Sequence, residues 1–179
     1  FRPATFQPFA GVPLAALRGR KLPIESVLGR LGRRLERAVG DPRTLEQAIA
    51  RAEEVLEPAL PPLPAEVRST RDLVERIESD RSILRVEDVA AQSGLGVRTL
   101  ERRFRAYVGV SPKWVIRRYR LMEAVERLKA GERGSLAELA AGLGYFDQPH
   151  FVRDFKAIVG RTPSEFSGDS SPSVRRKRS

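Results

Sequence analysis

Residues 144–166 read GYFDQPHFVRDFKAIVGRTPSEF, the pattern of a short helix closed at both ends. A glycine turn opens the stretch. Asp147 then stands at the N-cap position, where its carboxylate can accept from the free N–H groups of the next turn. Phe151, Phe155, Ile158 and Val159 recur at i, i+4, i+7 and i+8, the spacing of one buried helix stripe. On the opposite side of the wheel Arg153 lies near the centre, with Pro149, His150 and Lys156 around it. Gly160 supplies a C-terminal stop. Thr162, Pro163 and Glu165 form a capping box with proline at the first helical position. An aromatic back and a cationic front predict a DNA-recognition helix.

Working outward, the same pattern occurs earlier. Residues 86–112 (VEDVAAQSGLGVRTLERRFRAYVGVSP) match residues 136–163 (LAELAAGLGYFDQPHFVRDFKAIVGRTP). Val89-Ala90-Ala91 pairs with Leu139-Ala140-Ala141, and Gly94 with Gly144. After one extra residue in the second turn, Leu100 pairs with Phe151, Arg102 with Arg153, Phe104 with Phe155, Gly109 with Gly160 and Pro112 with Pro163. Each unit is an Ala-rich helix, a glycine turn and a longer helix, which is the helix-turn-helix pattern. In the first unit Leu100, Phe104, Tyr107 and Val108 face inward, leaving Arg98, Arg102 and Arg105 outward. Between the units, residues 111–130 form a connecting helix with Val115, Met122, Val125 and Leu128 inward and Trp114 and Tyr119 at its edges. At ~1.5 Å per residue its roughly nineteen residues span ~28 Å. Successive major-groove faces of B-DNA lie ~34 Å apart, so this helix can hold two reading helices about one DNA turn apart. Ser135 with Glu138 forms the capping box that starts the second unit.

Upstream, residues 65–78 read as a helix with Val67, Leu73, Val74 and Ile77 on its apolar side. Residues 58–64 (PALPPLP) are a stiff linker and the clearest domain boundary. Before it, residues 23–39 and a second segment ending near residue 57 read as a helical hairpin. Gly40-Asp41-Pro42 separates the two, with Asp41 as N-cap and Pro42 at the first helical position. Two helices cover their own apolar stripes poorly, which leaves a homodimer contact through residues 23–57 or packing within the chain. Residues 1–22 are an arm, or the remnant of an upstream sensory domain; the alternative is an arm folded back on its own chain. Residues 168–179 are a disordered basic tail, with Arg175–Arg178 either touching phosphates or solvated. The domain plan is thus 1–22 arm, 23–64 hairpin and linker, 65–167 bipartite helix-turn-helix domain and 168–179 tail. The fold class is all-α.

Composition agrees. The chain has 179 residues, 41% apolar content and a net charge of +10, which favours polyanionic partners. Arg98, Arg102, Arg103, Arg105, Lys113, Arg117, Arg118 and Arg120 crowd into residues 98–120 against Glu101 alone. No run approaches the ~18 apolar residues of a membrane span, and the start shows no secretory pattern. The absence of cysteine removes thiol chemistry, thiolate metal sites and disulfides, and suits a reducing compartment. His150 is the only histidine, so neither a histidine metal site nor a catalytic dyad can be built from it. With no P-loop and no carboxylate pair, no catalytic residue, metal or cofactor is expected. Phe1 in place of a methionine points to a piece of a longer chain.

These residues resemble the AraC/XylS family of bacterial transcription regulators. The match covers about residues 66–167, with residues 144–166 close to that family's signature in order and spacing and residues 89–112 in the same register. The resemblance implies a bipartite all-helical DNA-binding domain entering two adjacent major grooves. It also implies a cytoplasmic regulator at the nucleoid, an activator that meets RNA polymerase. By position, the family's base-reading sites fall on Arg98, Glu101 and Arg102, and on Gln148, Pro149, His150, Val152 and Arg153. Arg102 and Arg153 are favoured as base readers because each is central on its face and they are equivalent in the repeat. Each can make a bidentate guanine contact worth ~1–3 kcal/mol. Arg98 stays open between base and phosphate, and Glu101 between a cytosine amino group and a neighbouring arginine. Arg103, Arg105, Lys113 and Lys156 are phosphate contacts or solvated.

Two departures from the family pattern carry expectations. Gly96 stands where the family often has a serine N-cap, so the first reading helix starts more loosely. Pro149 and Val152 cannot donate side-chain hydrogen bonds, so the second relies more on shape or methyl contact. Residues 1–57 resemble more weakly the junction after the family's sensory domain. That domain and its effector site are not in this chain. The rival function is an architectural protein that coats any duplex through charge.

Overall fold

The computed structural model describes residues 1–41, 44–131 and 134–169, and every regular element in them is helical. The all-α expectation is met. No helix among the described residues is long and apolar enough to cross a membrane. The chain divides into two units that interleave in sequence: Phe1–Glu75 with Leu95–Pro112, and Arg76–Gly94 with everything described from Lys113 onward.

In the first unit, α1 (Gln7–Ala10) and a 3₁₀ turn (Leu14–Ala16) lead to α2 (Ile24–Leu28), α3 (Arg30–Val39) and α4 (Leu45–Leu56). Then follow α5 (Ala65–Ser79), of which the part up to Glu75 belongs to this unit and the last turn to the second, α7 (Val97–Arg103) and a π-helical turn (Phe104–Val108). The first sixteen residues fold back on their own chain: Ala4 and Ala10 are buried, and the Leu14 backbone lies where a Cβ on Gly109 would meet it at 3.2 Å. The one helix expected over residues 23–39 is two. Gly29, at φ 56° and ψ −128°, breaks the run in a conformation that L side chains rarely adopt. The chain then returns so closely that a Cβ on Gly32 would come within 2.6 Å of the Ile24 carbonyl oxygen. Glu25 and Arg33 pair across this bend.

The start of α4 also differs from expectation. Its cap is Thr44, whose hydroxyl accepts from the Gln47 N–H at 3.2 Å, and not Asp41. Pro42 lies outside the described residues, as does the basic tail from residue 170. Thr44 is the better cap because it immediately precedes the apolar-periodic residues. α4 has no buried residue at all, and Leu45 and Ile49 are 72% and 49% exposed. The unit's enclosed side chains are instead Val67, Thr70, Leu73, Val74, Leu100 and Phe104.

In the second unit, α6 (Val86–Ser93) is followed by α8 (Pro112–Lys129, from Lys113), α9 (Leu136–Gly142), α10 (Gln148–Val159) and α11 (Pro163–Asp169). The core joins Leu121 and Ala124 of α8, Ala140 of α9, Leu143, Phe151 and Phe155 of α10, and Phe166 of α11. Both expected capping boxes form: Ser135 with Glu138, and Thr162 with Glu165. Val115 of α8 is buried as expected. Met122, Val125 and Leu128 are only partly buried, because the helix turns Ile116, Leu121 and Ala124 further inward.

Arg120 turns inward too, which its sequence position in a basic run does not suggest. It is 2% exposed and donates to Glu123 at 2.7 Å and to the carbonyls of Ile77 and Asp80 at 2.7 and 3.2 Å. Those two carbonyls sit at and just beyond the end of α5, so the guanidinium satisfies acceptors that the helix itself leaves open. Arg120→Met should therefore lower stability by about 3 kcal/mol, since it leaves two carbonyls unmet and Glu123 with only its longer 3.8 Å pairing to Arg81. A urea titration followed by circular dichroism reads this as an earlier midpoint; a shift below about 1 kcal/mol would count against the clamp.

Candidate nucleic-acid interface

α10 is held from behind and capped in front. Phe151 and Phe155 have no exposure, and the rings of Tyr145, Phe151, Phe155 and Phe166 meet edge to face at centroid distances of 5.4, 5.7 and 6.0 Å. Such pairs contribute roughly 0.5–1.5 kcal/mol each beyond their burial. Asp147 accepts from the His150 N–H at 2.7 Å, as its N-cap position predicts. With the aromatic side anchored, Gln148, Pro149, Arg153 and Lys156 are exposed. Arg153 bends back only loosely, its Nε 3.4 Å from the Pro149 carbonyl. Val152 is partly buried against the core, which leaves little of it for contact outside.

His150 is half-buried and belongs to a cluster that the sequence did not reveal. Asp154 is paired with Arg117 at 3.1 Å and lies 3.4 Å from the His150 Nε2. Tyr145 stacks edge to face on His150 at 5.6 Å. Burial, and then the Asp154 charge, push the Tyr145 hydroxyl well above its ordinary range, so it stays protonated. The cluster ties the first turns of α10 to α8. His150 and Asp154 stand four apart on one helix, so that contact was legible in principle. Arg117 comes from a different helix and was not.

α7 and the π turn present Arg98, Arg102 and Arg105 exposed on the first unit. Gly96 caps α7 with no side-chain hydrogen bond. Glu101 lies 3.7 Å from Arg105 on the same helix turn, the arginine-pairing alternative for this acid. Arg103 points the other way. It donates to the Ser69 hydroxyl and the Glu66 carboxylate, each at 3.2 Å, and is 17% exposed. Tyr107, expected in the core, is half-buried and donates to the same carboxylate at 2.8 Å. The Tyr107 hydroxyl, and then the Arg103 charge, hold the Glu66 carboxyl below its usual range. Lys113, at the start of α8, is exposed.

The repeated helices end differently. The Gly109 N–H reaches five residues back, to the Phe104 carbonyl, at 2.9 Å, whereas the Gly160 N–H reaches four back, to Lys156, at 2.9 Å. The aromatic and glycine positions nevertheless correspond, so both copies bury one aromatic and expose an arginine two residues before it.

Comparison with known proteins finds relatives for the second half of the chain. A family described as a helix-turn-helix domain matches residues 89–168. The regulatory protein SoxS of Salmonella typhimurium is 35% identical over 83 residues, covering 46% of this chain and 77% of SoxS. The HTH-type transcriptional activator RhaS of Klebsiella pneumoniae is 36% identical over 79 residues, covering 44% of this chain. That alignment spans only 28% of RhaS. Among solved structures, the C-terminal domain of AraT, a response regulator from Geobacillus stearothermophilus, aligns with a TM-score of 0.48 at 23% identity. It covers 65% of this chain and 94% of that one. On the repeated helix-turn-helix pattern and the extent of its identity with SoxS, the chain belongs to the AraC/XylS family of bacterial transcription regulators.

Proposed function

We propose that the chain is a sequence-specific DNA-binding regulator that places α7 and α10 in two adjacent major grooves. The observation that carries this reading is the equivalence of Arg102 and Arg153. Each is exposed on the outer side of its helix, and each stands two residues before a phenylalanine with no exposure. The 18 residues of α8 span ~27 Å at ~1.5 Å per residue, a length compatible with neighbouring grooves. In this reading Arg102 and Arg153 read bases, with Arg98, Gln148, Pro149 and His150 beside them. Arg105, Lys113 and Lys156 contact phosphates. Arg103 is a structural tie to Glu66 rather than a phosphate ligand, because pairing on its own chain already occupies it. Glu101 and Val152 contribute by position and packing more than by hydrogen bonds.

The regulator works on double-stranded DNA at the bacterial nucleoid, in the cytoplasm, and calls on no catalytic group. RhaS is named a transcriptional activator. Activation, and contact with RNA polymerase, are the corresponding proposal here. The hairpin of α3 and α4 is the proposed self-association surface, because α4 buries nothing while carrying Leu45 and Ile49 exposed. The domain plan of hairpin and linker over 23–64 followed by a DNA-binding part over 65–167 belongs to the same proposal.

Three outcomes follow from these assignments. Selection of duplexes from a random pool at ~150 mM salt should enrich two sequence blocks about one helical turn apart; an unenriched pool would support the charge-only architectural reading. Arg102→Ala and Arg153→Ala should each weaken binding to the selected site by about 5- to 100-fold, and to random duplex far less. Equal losses on both would make them phosphate contacts. Leu45→Glu with Ile49→Glu should abolish self-association in sedimentation experiments at tens of micromolar (roughly), where a wild-type chain that is itself monomeric would remove the dimer proposal.

A further inference from the structure

The turn of the second helix-turn-helix copy is one residue longer than that of the first, and none of the base-reading positions lies in it. Between the turn glycine and the cap of the reading helix the first copy has Leu95 alone, whereas the second has Tyr145 and Phe146. Leu95 and Tyr145 are both partly buried, but Phe146 is 98% exposed. The extra residue is the outward one.

Its place in the turn makes that exposure unexpected. An apolar residue just before a cap often packs on the fourth residue of its helix, which here is Phe151. Tyr145 takes that role instead, with its ring 5.4 Å from Phe151 and 5.6 Å from His150, and Phe146 is left to solvent. Both neighbours of Phe146 are nevertheless held. The Tyr145 N–H donates to the Ala140 carbonyl at 3.0 Å, and the Asp147 carboxylate accepts from the His150 N–H at 2.7 Å. A ring presented from a fixed backbone has little chain entropy left to lose on meeting a partner.

The chemistry of the ring narrows what that partner offers. A phenyl group neither donates to a phosphate nor reads a polar base edge. It continues the exposed surface of Gln148, Pro149 and Arg153, at the end of a recognition helix that contacts base edges. In the major groove the apolar group on those edges is the thymine methyl. A protein covering the ring would also crowd Gln148 and Pro149, which DNA reading needs free.

We propose that Phe146 is a specificity-determining residue, packing on a thymine methyl at the edge of the site read by α10. The proposal rests on the DNA-binding reading and adds to it a base preference that hydrogen bonds from Gln148 and Arg153 do not supply.

The test is parallel selection of duplexes from a random pool at ~150 mM salt, using the wild-type chain, Phe146→Ser and Phe146→Leu. Because the ring is exposed, both variants should keep the wild-type thermal midpoint. All three chains should enrich the same two blocks. Phe146→Ser should lose one thymine from the block that Arg153→Ala also degrades, and Phe146→Leu should retain it. Deoxyuridine in place of that thymine removes only the methyl. It should weaken wild-type binding about 3- to 5-fold and leave Phe146→Ser binding unchanged. If the wild-type chain enriches two blocks and the serine variant keeps every base preference, the proposal is overturned and Phe146 is left for a protein partner. Equal weakening of both chains by deoxyuridine would also overturn it, by giving the methyl to another residue. In either case the DNA-binding reading stands. A wild-type chain that enriches nothing would remove both.

Discussion

The burial of one aromatic stripe is the constraint on which the second unit depends. A helix twelve residues long cannot hold a cationic face outward unless its other face is fixed, because isolated helices of that length are marginal in water. Phe151 and Phe155 fix it. Each is fully enclosed, and burial of a side chain of that size is worth about 1.5–3 kcal/mol. The edge-to-face chain from Tyr145 to Phe166 sets the rotation of α10 about its own axis, since each ring limits the next. The exposure of Arg153 and Lys156 is therefore a consequence of where the aromatics go.

A second constraint sorts the positive charge. A chain with a net charge of +10 offers many candidates for nucleic-acid contact, yet several cations are already engaged within the protein. Arg103 ties to Glu66 and Ser69, Arg117 to Asp154, and Arg120 to Glu123 and two carbonyls. Arginine suits such positions because its planar fork reaches several acceptors at once and is more weakly hydrated than an ammonium. Arg98, Arg102, Arg153 and Lys156 stay exposed. Arg103, Arg117 and Arg120 are withdrawn from a partner's surface, while exposed cations such as Arg18, Arg34 and Arg118 remain outside the two reading helices.

The two copies of the repeat show how much local chemistry can change while the design is kept. One starts its reading helix with a carboxylate cap, the other with glycine and no side-chain cap. One ends with an i→i+4 bond and the other with an i→i+5 bond. What persists is the buried aromatic and the exposed arginine two residues before it. These are the features whose displacement would rotate the outward face. Caps and termini change the stability of a helix without changing which side it shows.

The sequence by itself determined the helical class, the repeat, the Asp147 cap and both capping boxes. It also separated the aromatic back of α10 from its cationic front. All of these depend on residues a few positions apart on one helix, where spacing alone decides contact. The break at Gly29 is not legible locally, because a lone glycine in a helical pattern marks either a tolerated position or a turn. The Asp41-Pro42 pair is a cap signal in its own right, yet α4 starts three residues later at Thr44, whose hydroxyl bonds the Gln47 N–H. Only tertiary structure could decide the fate of Arg103, Arg117 and Arg120. Their partners lie 37, 37 and 43 residues away in the chain, and no local pattern records which arginine an acid or a carbonyl will meet.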